Sequence, residues 1–244
     1  MKGVILDLAP EARIVDLTHE LPPQDVLAAA LALESVLGVF PSRAIHLAVV
    51  DPGVGTTRHA VAMRTDQGFF VGPDNGLFTA VIEAAGSRCC VALNNKAFHR
   101  RPVSHTFHGR DVFAPVAAHM ACGAALEDMG TPLDQPMTLS IPAATVDDKG
   151  ISACVLAADR FGNITTNVKG KTLEAWRRGR GDVLVEVADR TIPGISRTFA
   201  DVEPGDPVAY MGSTGRLEIA IRNGHAVSEL RIEPRARVVV REGG

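Results

Sequence analysis

The sequence lacks the features of several classes of protein. It contains no run of Lys and Arg and has a formal net charge of −3, so a nucleic-acid-binding surface is not expected. Its four cysteines include no CxxC pair, which argues against a disulfide framework or a zinc site. The longest apolar stretch, residues 26–40, is interrupted by Glu34 and is too short for a membrane span. Without a secretory signal pattern at its start, the chain is expected to be cytoplasmic and not to bind membranes.

The features that are present are those of an ordinary globular protein. The chain has 244 residues, of which 46% are hydrophobic and 22% charged, enough for one large or two modest domains. In the first half, strands are predicted over 13–17, 44–50, 68–71 and 89–93, and helices over 22–37, 77–85 and 112–122. This rhythm predicts the α/β class, with an N-terminal, mostly parallel, three-layer sandwich over residues 1–135. Ligands in such sheets bind where strands end and helices begin.

The pattern changes after a proline-containing linker, predicted over residues 136–149. Short strands separated by Gly, Pro and Asp turns are predicted over 151–157, 183–187, 207–211, 217–221 and 235–240. Residues 150–244 are therefore predicted to form a smaller, antiparallel, β-barrel-like domain.

Residues 51–55, Asp-Pro-Gly-Val-Gly, end the predicted buried strand, and Arg58 follows them. A carboxylate and a guanidinium at this position could contact a ligand, or could form only a tight turn with a surface ion pair. The segment is not a P-loop, because the Lys-Ser/Thr ending is missing. Residues 72–76, Gly-Pro-Asp-Asn-Gly, are either a turn with a helix N-cap or a contact for a polar ligand through side chains such as Asn75.

Two further segments combine aromatic, polar and charged residues. Residues 105–111, His-Thr-Phe-His-Gly-Arg-Asp, precede an apolar helix, where charged and imidazole groups need partners or solvent. The two histidines could be metal ligands, but no Glu-x-x-His motif or Cys partner supports that function. Residues 159–163, Asp-Arg-Phe-Gly-Asn, are either an edge turn or a site where Phe161 stacks on a purine or a ribose.

Taken in order, these segments resemble the SAM hydroxide adenosyltransferases, the adenosine-forming hydrolases of S-adenosylmethionine (SAM), which are relatives of the fluorinase and chlorinase enzymes. The similarity covers nearly the whole chain. The matching stretches are residues 1–5, 14–19, 49–55 with Arg58, 73–76, 106–115 and 159–163.

The resemblance implies an N-terminal α/β domain, a C-terminal β domain and a homotrimer in which SAM lies between neighbouring subunits. It implies that water is handled by Asp51, Arg58 and His108. The substrate-binding residues that it implies are Asn75, Phe107, Gly109, Asp159, Phe161, Asn163, Ser213 and Ala226. Among these, Phe161, Asn163, Ser213 and Ala226 would contact adenine and Asp159 the methionine end. SAM is the substrate, and no cofactor or metal is implied.

Asp51 gives a physical reason to expect hydrolysis and not halogenation. Aligned with the fluorinase, this chain has Asp51 in place of a Tyr, and a carboxylate repels a halide in a dry cavity. The sulfonium of SAM leaves as a neutral thioether, so the difficulty lies in activating water for in-line attack at C5′. We expect His108, held by Asp51, to accept the proton and Arg58 to stabilise developing hydroxide.

One feature of the family pattern is not found in this sequence. The relatives have a strand and a Thr-Asp-Phe-Gly-like loop before the segment that matches residues 1–5. Either the start of the sequence is assigned downstream of the true one, or the chain is shortened. In a shortened chain, two neighbouring strand edges are expected to lose pairing, and activity is expected to be weak or absent. The alternatives to a hydrolase are therefore a SAM- or nucleoside-binding protein without activity, a SAM-dependent halogenase, and a structural subunit without a ligand.

Overall fold

The computed structural model describes residues 1–243, which fall into two units. The first unit is Met1–Leu139 and the second begins at Ser140. Among residues 1–243, no helix combines the length and the apolar character that crossing a bilayer requires.

The first unit is built on a five-stranded sheet in the order β1-β3-β2-β4-β5. The strands are β1 (Ile45–Leu47), β2 (Ala60–Thr65), β3 (Gly68–Pro73), β4 (Cys89–Ala92) and β5 (Thr131–Pro132). Strands β1 and β3 pair in parallel, and the other three pairs are antiparallel. The predicted α/β class is confirmed, with a mixed sheet in place of a mostly parallel one.

Strand β2, which was not predicted, is the reason for the mixed pairing. Only Asp66 and Gln67 separate β2 from β3, and so short a connection can join strands only as an antiparallel hairpin. Strand β2 lies between β3 and β4 and is antiparallel to both of them. Its alternate side chains fill opposite faces of the sheet, with Val61 and Met63 in one apolar core and Ala62 in the other.

Helices cover both faces of this sheet, which gives the predicted three layers. They are α1 (Lys2–Leu8), α2 (Val26–Glu34), α3 (Thr79–Ala85) and α4 (Ala114–Ala121). Helix α2 begins where the Asp25 carboxylate accepts a hydrogen bond from the Ala28 amide at 2.8 Å. A single π-helical turn, Gly109–Phe113, precedes α4 and follows the predicted site residue His108.

The strand predicted over residues 13–17 is wrong. These residues belong to no helix or strand, and the side chains of Ile14, Val15 and Leu17 are exposed. Asp16 forms a salt bridge with Lys2 instead. An apolar, β-branched sequence favours extended backbone, but a strand also needs a partner for its hydrogen bonds, and here none is paired with it.

The second unit is a nearly closed, antiparallel sheet, as predicted. Its strands are β6 (Thr145–Val146), β7 (Gly150–Ala158), β8 (Ile164–Lys169), β9 (Val183–Val187), β10 (Arg190–Pro193), β11 (Pro207–Met211), β12 (Arg216–Ile221) and β13 (Arg237–Glu242). They run in the order β10-β9-β13-β7-β8-β12-β11, with β6 on β7. Two helices, α5 (Gly170–Arg177) and α6 (Ala226–Glu229), contribute Leu173, Trp176 and Ala226 to its core.

Candidate active site

Asp51 and Arg58 form a nearly buried ion pair at the two ends of the loop that follows β1. The Arg58 Nε atom donates to Asp51 Oδ1 at 2.8 Å, and Nη2 donates to Oδ2, so the contact is bidentate. Their side chains are only 6% and 7% exposed. The alternative of a surface ion pair is therefore wrong, because both charged groups are withdrawn from solvent.

His108 joins this pair through Arg58. Nη2 of Arg58 lies 3.0 Å from Nδ1 of His108. A guanidinium can only donate hydrogen bonds, so Nδ1 must be the acceptor and the neutral ring carries its proton on Nε2. The three predicted water-handling residues are thus connected, with Arg58 between Asp51 and His108.

The surroundings of His108 favour the neutral ring. Burial and the neighbouring Arg58 charge lower the pKa of His108, with a smaller contribution in the same direction from exposed His105. Asp51 and Asp111 oppose this shift but do not reverse it.

Sequence reasoning missed Phe113, which supports the guanidinium. The Arg58 Cζ atom lies 5.4 Å from the centroid of the fully buried Phe113 ring, close enough for a cation–π contact. Phe113 belongs to the π-helical turn that follows His108. The same turn therefore positions the His108 imidazole and the aromatic ring that contacts the Arg58 guanidinium. Phe113 lies in an apolar segment that was predicted to be helical, and nothing in that pattern indicated that its ring contacts Arg58.

Asp111 holds the loop that carries His108. Its side chain is 1% exposed. Its carboxylate accepts from the Ser104 amide at 2.9 Å and from Arg110 Nε at 2.7 Å, while the Asp111 carbonyl accepts from the Arg100 amide at 2.9 Å. Hydrogen bonds from Arg110 and Ser104 lower the pKa of Asp111 to about 2, with burial opposing them. The charged groups in segment 105–111 therefore have partners within the same loop.

The other predicted residues of the first unit lie near these groups in sequence but differ in what they contact. The Phe107 ring is 59% exposed, with Arg110 Cζ 5.1 Å from its centroid. A Cβ atom on Gly109 would lie 3.1 Å from Met1 Sδ, so Gly109 packs closely against the Met1 side chain. The Asn75 side chain bonds to the backbone of Val50 and Leu77.

In the second unit, Asp159 organises the predicted Asp-Arg-Phe-Gly-Asn turn. Its Oδ1 atom accepts from the amides of Phe161 and Asn163, each at 2.9 Å, and Oδ2 accepts from Asn163 Nδ2 at 2.9 Å. Both carboxylate oxygens are therefore used within the turn. The Phe161 ring is left 60% exposed, with Arg160 Cζ 4.7 Å from its centroid.

A cleft of about 470 Å³ lies beside this turn within the second unit. Phe161 and Asn163 line it together with Phe199, Arg222 and their neighbours in segments 198–200 and 221–224. Two aromatic rings with amide and guanidinium groups suit a flat, polar heterocycle. Sequence reasoning missed Phe199 and Arg222, which lie in segments without a recognisable motif.

Ser213 and Ala226, which were predicted to contact adenine, lie outside the lining of this cleft. Within residues 1–243, the lining of the cleft includes neither of them. Ser213 lies in the exposed turn after β11, and Ala226 is 1% exposed at the start of α6, inside the apolar core of the unit.

The chain matches two family models. Residues 1–130 match the SAM hydroxide adenosyltransferase N-terminal domain, and residues 153–239 match the corresponding C-terminal domain. Together they cover most of the chain.

Individual proteins give the same result. A protein of Salinispora tropica named (R)-S-adenosyl-L-methionine hydrolase is 40% identical over 245 residues, covering 99% of this chain and 91% of its own. A fluorinase of Actinopolyspora mzabensis is 30% identical over 250 residues, covering 90% of this chain and 84% of its own. The crystal structure of an uncharacterised conserved protein of Thermotoga maritima superimposes with a TM-score of 0.91 at 34% identity, covering 99% of this chain and 93% of that one.

Proposed function

The chain belongs to the SAM hydroxide adenosyltransferase family, and we propose that it is an enzyme that hydrolyses S-adenosyl-L-methionine to adenosine and L-methionine. The resemblance drawn from the six sequence segments is thereby confirmed. The observation that carries the proposal is the contact chain of Asp51, Arg58 and His108, in which the Asp51–Arg58 pair is nearly buried. It supplies a carboxylate, a guanidinium and a neutral imidazole to one small volume, which is suitable equipment for orienting a water molecule.

The main requirement of the reaction is a water molecule that is positioned to attack C5′ and can lose its proton. The water oxygen forms a bond to C5′ while the C5′–S bond breaks, and the sulfur leaves as the neutral thioether of methionine. Because the leaving group carries no negative charge, we propose that the reaction uses no general acid, no cofactor and no metal. In-line positioning of water and sulfonium can contribute about 7 kcal/mol or more to lowering the barrier.

The tautomer of His108 bears on the fate of the proton. The Nδ1 lone pair is engaged by Arg58, and Nε2 already carries a proton in the neutral ring, so His108 in this arrangement is a donor. We therefore propose that His108 Nε2–H and Arg58 orient the water, and that the Asp51 carboxylate accepts the proton. Once oxygen has bonded to C5′ it becomes a strongly acidic oxonium, so even a carboxylate paired with Arg58 is a sufficient base.

Recognition of the substrate is proposed to use the cleft of the second unit. Phe161 and Asn163 would contact the adenine there, with Asp159 holding their turn in place.

We further propose the homotrimer that the family resemblance implies, with sites between subunits. The exposure of Phe107 and Phe161 in the single chain supports this, because a neighbouring copy or a substrate would cover them. Four free cysteines, of which Cys122 is exposed, fit the reducing cytoplasm.

A halogenase is the second candidate function, since a fluorinase is among the relatives. Asp51 argues against it, because a carboxylate with a side chain only 6% exposed would repel a halide at this position. Incubating the protein with SAM, with and without chloride or fluoride, tests both candidates. Adenosine and methionine in equal amounts support the hydrolase, a halogenated adenosine supports the halogenase, and unchanged SAM would overturn both.

A further inference from the structure

The turn at residues 74–76, which follows β3, contacts the backbone next to both members of the Asp51–Arg58 pair. The Nδ2 group of Asn75 donates to the carbonyl of Val50 at 2.9 Å, and Val50 immediately precedes Asp51. The amide of Asp74 donates to the carbonyl of His59 at 2.9 Å, and His59 immediately follows Arg58. One turn therefore fixes both ends of the loop that carries the ion pair.

The loop between β1 and β2 is held by packing at its start and by hydrogen bonds further along. Residues 48–59 form no helix or strand, but Ala48, Val49 and Val50 pack against the apolar cores, and the Ala48 amide donates to the Val71 carbonyl at 3.0 Å. Arg58 Nη1 donates to the same His59 carbonyl at 3.2 Å, and Thr56 Oγ1 donates to the Gly53 carbonyl at 2.7 Å. These two bonds act within the loop, whereas the Asn75 and Asp74 bonds tie Val50 and His59 to the turn that follows β3.

The turn itself is firmly anchored. The Asp74 carboxylate, 8% exposed, accepts from the Met137 amide at 2.7 Å. Thr79 Oγ1 accepts from the Leu139 amide at 2.7 Å. Gly76 has a φ of +90°, and a Cβ atom there would lie 2.5 Å from Leu139 Cγ, so the backbone approaches this segment as closely as only glycine allows. Because these contacts hold the turn in place, the turn can fix the positions of the Val50 and His59 carbonyls to which it bonds.

We propose that Asn75 is a positioning residue for SAM hydrolysis, acting on Asp51 through the Val50 carbonyl and not by contact with the substrate. The inference rests on the proposed function and deepens it. Of the two polar groups of the Asn75 side chain, Oδ1 accepts from the Leu77 amide at 3.2 Å and one N–H of Nδ2 donates to Val50, so each group bonds to the protein's own backbone. A displacement of Asp51 by a fraction of an ångström would disturb the oriented water.

Asn75→Asp is the sharpest test. A carboxylate at this position still accepts from the Leu77 amide but cannot donate to Val50, whose carbonyl it would repel. We expect kcat to fall by about 10-fold or more while KM for SAM changes by less than about 3-fold. Asn75→Ser, which keeps an acceptor for the Leu77 amide and loses the reach to Val50, should behave the same way and covers the case in which Asn75→Asp does not fold.

Asn95 provides a matched control. Its Oδ1 accepts from the Ala97 amide at 3.1 Å and its Nδ2 donates to the Asp128 carbonyl at 2.8 Å, the same pair of bonds in a turn that holds a different segment. Asn95→Asp should leave kcat and KM unchanged. A raised KM with unchanged kcat in Asn75→Asp would show a substrate contact and overturn the inference, as would equal effects of the two Asn→Asp substitutions.

The outcome can be separated from a failure of the proposed function. If the unmodified protein forms no adenosine from SAM, the function is wrong, and the positioning role is then decided by crystal structures of the protein and of Asn75→Asp. A shift of the Asp51 carboxylate in the variant supports the role. An unmoved carboxylate overturns it.

Discussion

Nη2 of Arg58 lies 3.0 Å from Nδ1 of His108, although 50 positions separate the two residues in the chain. Because a guanidinium has no acceptor, this one contact determines which nitrogen of the imidazole carries the proton. It also places a permanent positive charge against the ring, which disfavours protonation. The role that we propose for His108 therefore follows from its neighbour: a neutral ring that offers an Nε2–H donor.

His108→Gln tests this donor role. Glutamine keeps an N–H group near the position of Nε2 but has no group that is protonated near neutral pH. We expect His108→Gln to retain roughly a tenth or more of kcat, while His108→Ala loses about 100-fold or more, as for other donors that stabilise a reacting oxygen. Steady-state measurement of adenosine formation makes the comparison. If the Gln variant is as inactive as the Ala variant, His108 acts as the base, as the sequence analysis expected.

The pH dependence of hydrolysis should also show that the neutral form of His108 is the active one. Burial and Arg58 lower the pKa of His108 below its usual 6.5. The neutral ring is therefore present at and above that pH, and acidification eventually adds a second positive charge beside Arg58. We expect kcat to be level from neutral pH upward and to fall only below pH 6.5, with the fall absent in His108→Gln. A wild-type profile that already declines between pH 8 and 7 would contradict this assignment.

Asp111 should contribute to stability in a pH-dependent way. Its pKa is lowered from 3.8 to about 2 in the folded chain, so the fold favours the carboxylate. That contribution is complete above pH 3.8 and is lost as the pH falls towards 2. Asp111→Asn is expected to lower the free energy of unfolding at pH 7 by about 1–2 kcal/mol, and by less at pH 3, in urea titrations.

Asp66 is the control for this measurement. It pairs with Arg88 at 2.6 Å, but the two side chains are 59% and 65% exposed. Exposed pairs contribute little because water and salt screen them. Asp66→Asn should leave the unfolding free energy nearly unchanged. A loss in Asp111→Asn that is the same at pH 7 and pH 3 would argue that the carboxylate charge is not its cause.

Phe161 is expected to serve binding and not the chemical step. Stacking of a base on an aromatic ring contributes about 1–3 kcal/mol, so Phe161→Ala should raise KM for SAM by about 10-fold or more with a small change in kcat. Val146→Ala, which alters a 49%-exposed apolar side chain on β6, is the control and should change neither constant. Unchanged KM in Phe161→Ala would remove the cleft from the account of substrate recognition.

The sequence predicted the fold class well and individual strands unevenly. Long apolar runs and turn residues located β3, β4 and the helices α2, α3 and α4, since these signals are local. Residues 13–17 show the limit of such signals, because a strand forms only if a partner lies alongside it. Strand β2 was missed although most of its residues are apolar, and with it the antiparallel pairing that its two-residue connection to β3 imposes.

The candidate site was predictable where a motif marked it. Asp51, Arg58 and His108 stood out as charged or imidazole groups in turn-rich segments at the ends of apolar runs. The contacts among them depend on sheet order, which brings distant segments together and cannot be derived from spacing. Phe113 and Arg222 could not be found in advance, because a residue's role against a guanidinium or a cleft is set by tertiary neighbours that leave no local pattern.

The most direct measurement is the destination of oxygen when the protein turns over SAM in ¹⁸O-labelled water. We expect one ¹⁸O atom in the 5′-hydroxyl of adenosine and none in methionine, with product formation lost in Asp51→Asn. Adenosine carrying ordinary oxygen after a first turnover, or label in the amino-acid product, would contradict direct attack of water on C5′ at the Asp51–Arg58–His108 site.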